Sequence, residues 1–128
     1  MTNSEKLEGY MINLSLSYEN VDETTWVITD EEKGIENLIV MAEDPLIVLR
    51  IKVMDVPGEK NEEFFEQLLT LNASDMVHGA YALEGGNVVI LDTLEGDTMD
   101  LEEFQASLDA ISLALAQHYP VLSKYRNK

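Results

Sequence analysis

Residues 72–96 read NASDMVHGAYALEGGNVVILDTLEG, and the reading of this stretch decides the fold. Glu84-Gly85-Gly86-Asn87 separates two runs of strand-forming residues by a two-residue loop. Such loops close β-hairpins through primed turns, whose positive φ favours glycine. A phosphate-cradling loop would join a strand to a helix and bring a base with it. With Gly85-Gly86 as the loop, the register follows: Leu83 faces Val88, Ala82 faces Val89, Tyr81 faces Ile90, Ala80 faces Leu91 and His78 faces Thr93. Residues directly opposite one another share a face. One face then carries Tyr81, Leu83, Val88 and Ile90. The other carries Ala80, Ala82, Val89 and Leu91, where the small alanines predict the close approach of a helix.

Upstream of this hairpin, NEEFFEQLLTLN (61–72) predicts a short helix with Asn61 as N-cap and Glu62 and Glu63 at its positive end. Phe64, Phe65, Leu68 and Leu69 form its apolar stripe. Before it lie three strand-like runs: TTWVITD (24–30), IENLIVMAE (35–43) and LIVLRIKVMDV (46–56). The last alternates with period two, placing Ile47, Leu49, Ile51 and Val53 on one face and Arg50 and Lys52 on the other. The N-terminal stretch 4–18 spaces Leu7, Tyr10, Met11, Leu14 and Tyr18 as an amphipathic helix, capped by Thr2 with Glu5 or by Ser4 alone. Gly9 inside it suggests a close neighbour. SYENVDE then reads as a polar connection. Downstream, Asp100 and Glu103 cap a long helix from Leu101, and Pro120 is expected to kink or interrupt it. Lys124, Arg126 and Lys128 suit its negative end. The predicted order is α-β-β-β-α-β-β-α, an α+β fold in a single domain over residues 1–128.

Composition narrows the function. The chain has 128 residues, 45% of them hydrophobic, which suffices for one core, and no cysteine, which excludes disulfides and thiolate chemistry. Twenty-five acidic residues against 8 basic ones give a net charge of −17. That field repels phosphate backbones and anionic lipid, so neither nucleic acid nor membrane is expected as a partner. The start lacks a basic region followed by an apolar one, so a cytoplasmic location is expected.

The candidate chemistry is thin. His78 could be oriented by Asp75 or Asp92, but no G-x-S-x-G nucleophile motif accompanies it. His118 lies on the apolar seam Leu101, Phe104, Leu108, Ile111, Leu115, His118, Leu122, where a partly buried structural histidine is expected. Neither belongs to an H-E-x-x-H spacing. The acidic run DTLEGDTMDLEE lacks the alternating ligands of a calcium loop. The expectation is no enzyme, no metal and no cofactor. Apolar surface on Phe64, Phe65 and Trp26 points instead to a protein partner.

LLTLNASDMVHGAYALEGGNVVILDTLEGDTMDLEEFQASLDAI (68–111) resembles the YbjN-type domains and the type III secretion chaperones, including the Tir-chaperone-like group. The likeness rests on Leu68, Leu69 and Asn72 ending the short helix, on Gly79-Ala80 opening a strand, and on the long amphipathic helix that follows. It implies a curved antiparallel sheet with helices packed on it, often as a homodimer. It places a dimer contact on Phe64, Phe65, Leu68 and Leu69. It also implies a non-enzymatic, chaperone-like domain that binds an extended segment of a partner protein, with Trp26 and Ile28 on the first strand as the partner-binding edge. The alternative is an acidic nucleic-acid mimic occupying a DNA-binding protein, which would need carboxylates in one continuous band.

Overall fold

The computed structural model describes residues 1–126. Three helices, α1 (Asn3–Asn13), α2 (Asn61–Ser74) and α3 (Leu101–Leu122), accompany six strands: β1 (Ser17–Asp22), β2 (Thr25–Asp30), β3 (Ile35–Glu43), β4 (Leu46–Asp55), β5 (Ala80–Glu84) and β6 (Asn87–Glu95). All strand pairs are antiparallel, in the order β1-β2-β3-β4-β6-β5. The α+β class is as expected. The sheet, however, has one strand more than the hydrophobic pattern predicted. β1 occupies the SYENVD segment, whose side chains are almost all exposed, so no apolar alternation announced it.

The same error lengthened the first helix in the prediction. α1 ends at Asn13, where Ser15 turns left-handed (φ 56°) and the Leu16 N–H bonds back to the Met11 carbonyl. Tyr18 therefore belongs to β1. Of the two N-terminal caps considered, Thr2 with Glu5 forms and Ser4 lies inside the helix, and Asp100 with Glu103 forms as read. Asn61 is the first residue of α2 rather than its cap. Lys60 precedes it with left-handed backbone, and lysine has no acceptor to offer the first-turn amides. A Cβ on Gly9 would meet nothing within 4 Å, so no close neighbour explains that glycine.

The β5–β6 register is the predicted one from Leu83–Val88 to Ala80–Leu91, and Gly85 supplies the positive φ of the turn. The pairing stops there, so His78 does not reach Thr93. Gly79 opens β5 at φ +79°, and a Cβ there would lie 2.6 Å from the Leu91 carbonyl oxygen. Only glycine fits both demands.

One core holds the molecule together. Leu7 and Met11 of α1, Phe64 and Leu68 of α2, and Phe104, Leu108 and Ile111 of α3 share a cluster with Trp26, Ile28, Val40, Leu49, Ile51, Tyr81 and Ile90. Burying a large aliphatic or aromatic side chain contributes about 1.5–3 kcal/mol each, so this cluster dominates stability. The helices thus cover the Tyr81–Ile90 face. Ala80 and Ala82 look the other way, with half-buried Val27, Ile39, Val48 and Leu91, and none of these six belongs to the core cluster. In β4 the register shifts between Lys52 and Met54. The extra residue of this bulge reverses the alternation, burying Met54 where Val53 was expected.

α3 continues through Pro120 for two residues and passes into a 3-10 turn, Ser123–Tyr125. The proline removes the backbone bond to the carbonyl four residues back, and the helix ends within one turn of it. Of the expected cations beyond it, Lys124 and Arg126 lie over the rings of Tyr125 and Tyr119. Lys128 is outside the described residues.

Candidate functional site

α2 and β5 leave an apolar groove between them. Phe64 and Phe65 are neighbours on a helix, so their directions differ by about 100° and only one can enter the core. Phe64 does so, against Tyr125 with ring centroids 5.0 Å apart. Leu68 is buried beside it. Phe65 stays half-buried, and Leu69 is 68% exposed. Across the gap Leu83 is 51% exposed. Phe65, Leu68, Leu69, Asn72, Tyr81, Ala82 and Leu83 enclose a cavity of about 320 Å³. The four residues expected at a dimer contact are therefore divided, Phe65 and Leu69 facing outward with Phe64 and Leu68 beneath them.

A polar network underlies this groove. The Asn72 side chain accepts from the Tyr81 N–H at 2.7 Å and donates to the Tyr81 carbonyl at 3.2 Å. The Tyr81 hydroxyl lies 2.7 Å from Nδ1 of His118, and His118 Nε2 lies 3.2 Å from Asp75 Oδ2. The carboxylate can only accept, so Nε2 carries a proton. In neutral His118, Nδ1 then accepts from the Tyr81 hydroxyl, and every polar atom of the ring is satisfied. Burial, with the Asp75 charge second, pushes the Tyr81 phenol up to about 12. Asp75 is held below the usual carboxylate range by the adjacent Ser74 side chain and then by its hydrogen bond from His118.

This arrangement ties α2, β5 and α3 together. His118 is 3% exposed, and its two ring nitrogens are taken up by Tyr81 and Asp75. His78 lies half-buried in the loop before β5, and Asp75 serves His118 in its place. Asp92, the other carboxylate considered for His78, accepts from the Thr93 N–H. Among the described residues, no three metal-ligating side chains cluster, and no helix is long and apolar enough to cross a membrane.

The partner-binding edge needs correction. Trp26 and Ile28 stand on β2, between β1 and β3, and are 2% and 0% exposed. Neither lies at an edge, because β1 pairs outside the strand that carries them, and both side chains join the core cluster. The edges are β1 and β5. β1 presents Glu19 and exposed Val21, and at its turn the Asn20 amide ties the Asp22 and Thr25 carbonyls. Many carboxylates are engaged locally. Asp22 accepts from Thr24, Asp30 from the Lys33 N–H, and Glu5, Asp100 and Glu103 close helix caps.

A family model described as CesT_Tir_1 matches residues 1–128. No curated protein matches the chain. Among solved structures, a chain of the heterodimeric ExoU–SpcU complex from the type III secretion system of Pseudomonas aeruginosa superposes with a TM-score of 0.73 at 16% identity, covering 90% of this chain and 96% of that one. YbjN of E. coli, described as a putative transcription regulator, gives 0.68 at 14% identity, with 91% of each chain covered. The Yersinia pestis secretion chaperone SycH, solved with a stable fragment of YscM2, gives 0.67 at 15%, covering 91% of this chain and 98% of that one. At these identities the likeness is one of fold.

Proposed function

The chain belongs to the CesT_Tir_1 family, the type III secretion chaperone family, and from that premise we propose that it is a non-enzymatic, chaperone-like protein holding an extended segment of a partner protein. The observation that carries this reading is the family match over the whole chain. In support, several chains of the same fold were solved with protein partners: SpcU with ExoU, SycH with a YscM2 fragment, and SchA with HopA1. The partner's extended segment would add to the outer edge of β1, where main-chain pairing gives affinity and side-chain contacts give specificity. Glu19, Asp22 and Glu23 favour a segment carrying basic residues. Trp26 and Ile28 contribute from beneath, by fixing β2 to the core.

In this proposal the protein is a cytoplasmic homodimer. Phe65 and Leu69 with Leu83 supply the contact, shaped from below by Phe64 and Leu68. Neither nucleic acid nor membrane is a partner, since the charge opposes both. The test is native co-purification followed by hydrogen exchange with and without the recovered partner. Protection gained along Ser17–Asn20 is the expected result. A protein that recovers no partner under any native condition, or one whose partner leaves β1 exchange unchanged, contradicts the proposal.

A further inference from the structure

We propose that Asn72 is an edge plug: its side chain occupies the outward main-chain groups of β5 and keeps that strand from pairing with a strand of a second copy. In an antiparallel strand, the N–H and C=O of one residue point to the same side, and the side alternates along the chain. Tyr81 directs both groups to Asn72, at 2.7 Å and 3.2 Å. Ala80, Ala82 and Glu84 therefore face β6, and within β5 the outward positions are Tyr81 and Leu83. An incoming strand needs consecutive outward positions, and Asn72 takes the first. The primary amide suits this role because it carries a donor and an acceptor on one carbon, as a peptide unit does.

The plug is held from two sides. Asn72 and Asp75 both come from the C-terminal end of α2, and Asp75 grips His118, which grips the hydroxyl of the same Tyr81. α2 cannot withdraw the amide without breaking the buried chain as well. An unprotected edge strand bearing exposed Leu83 would be a template for sheet extension. With the plug in place, copies meet through the side chains of Phe65, Leu69 and Leu83 instead. This last step rests on the proposed dimer; the plug itself requires no partner.

Backbone hydrogen exchange and light scattering on the full chain test it. In the wild type the Tyr81 amide should exchange slowly despite its edge position. Asn72→Ala should speed that amide about tenfold, the effect of one lost buried hydrogen bond, and leave β6 amides unchanged. It should also yield species heavier than the wild type. A further Leu83→Pro change, which removes the remaining outward donor at a position where an edge strand tolerates proline, should abolish the heavier species, with Leu83→Pro alone as the reference because Leu83 also belongs to the proposed dimer contact. Wild-type exchange at Tyr81 as fast as at Leu83 overturns the assignment, as does an Asn72→Ala protein that exchanges faster yet keeps wild-type mass. If Asn72→Ala does not fold, Asn72→Asp keeps the acceptor for the Tyr81 N–H, so fast exchange at Tyr81 in that variant also overturns it. A wild type that proves monomeric would remove the dimer and leave the plug standing.

Discussion

Tyr81 is held through its backbone by Asn72 and through its hydroxyl by His118, while its ring joins the core. Tyr81→Phe would leave Nδ1 of His118 buried without a donor. Urea unfolding should then show a loss of about 1–3 kcal/mol; no change would mean that water replaces the hydroxyl. The raised phenol pKa fixes a second outcome. The unfolded phenol loses its proton near pH 10 and the folded one at about 12. The unfolded state thus binds fewer protons between these values, and stability falls as pH rises through that window. Tyr81→Phe should reduce this alkaline slope, leaving the part owed to Tyr10 and Lys33, whose proton affinities are also raised in the fold. None of the network was legible in the sequence. His118 stood out only as a polar residue on an apolar seam, and its partners are distant in the chain. The sequence drew the eye to His78 because Asp75 lies near it, whereas in space Asp75 adjoins α3.

At the scale of elements, α2 divides its stripe between two tasks, and substitutions should separate them. Phe64→Ala should cost about 3–5 kcal/mol, because it opens a cavity beside Tyr125. Leu69→Glu should change stability by no more than about 0.5 kcal/mol, since the side chain is exposed. If the α2–β5 surface joins two copies, that variant should also lower the mass found by light scattering. A marked loss of stability in Leu69→Glu would mean that the helix is seated differently. The β5–β6 hairpin was readable residue by residue because a two-residue glycine loop leaves one register. β1 was hidden because it buries almost nothing, so Ser17–Asp22 looks like a connection and its neighbour looked like the edge. The β4 bulge was hidden for a different reason: Val53 and Met54 are both apolar, and the pattern does not say which one turns inward.

For the molecule as a whole, the net charge of −17 is weakly compensated. The carboxylate pairs of Lys33, Arg50 and Lys52 lie at the surface, where solvent screens them and each contributes little. Mutual repulsion should therefore be visible, and raising sodium chloride from about 0.01 to 0.15 M should raise Tm as the Debye length shortens. A Tm that falls over this range would show that local ion pairs outweigh the global field. The sheet order has a consequence in time. β1 to β4 form a meander and β5 with β6 a hairpin, each closed by short turns, and one seam joins them, running from Leu46–Glu95 to Asp55–Asn87 with α2 between. During synthesis the meander can assemble early, yet the outer edge of β4 must wait unpaired until β6 leaves the ribosome. Loop closure of that length is slow compared with hairpin formation. The newborn chain thus passes through an interval in which its own central strand is the stickiest edge it will ever expose.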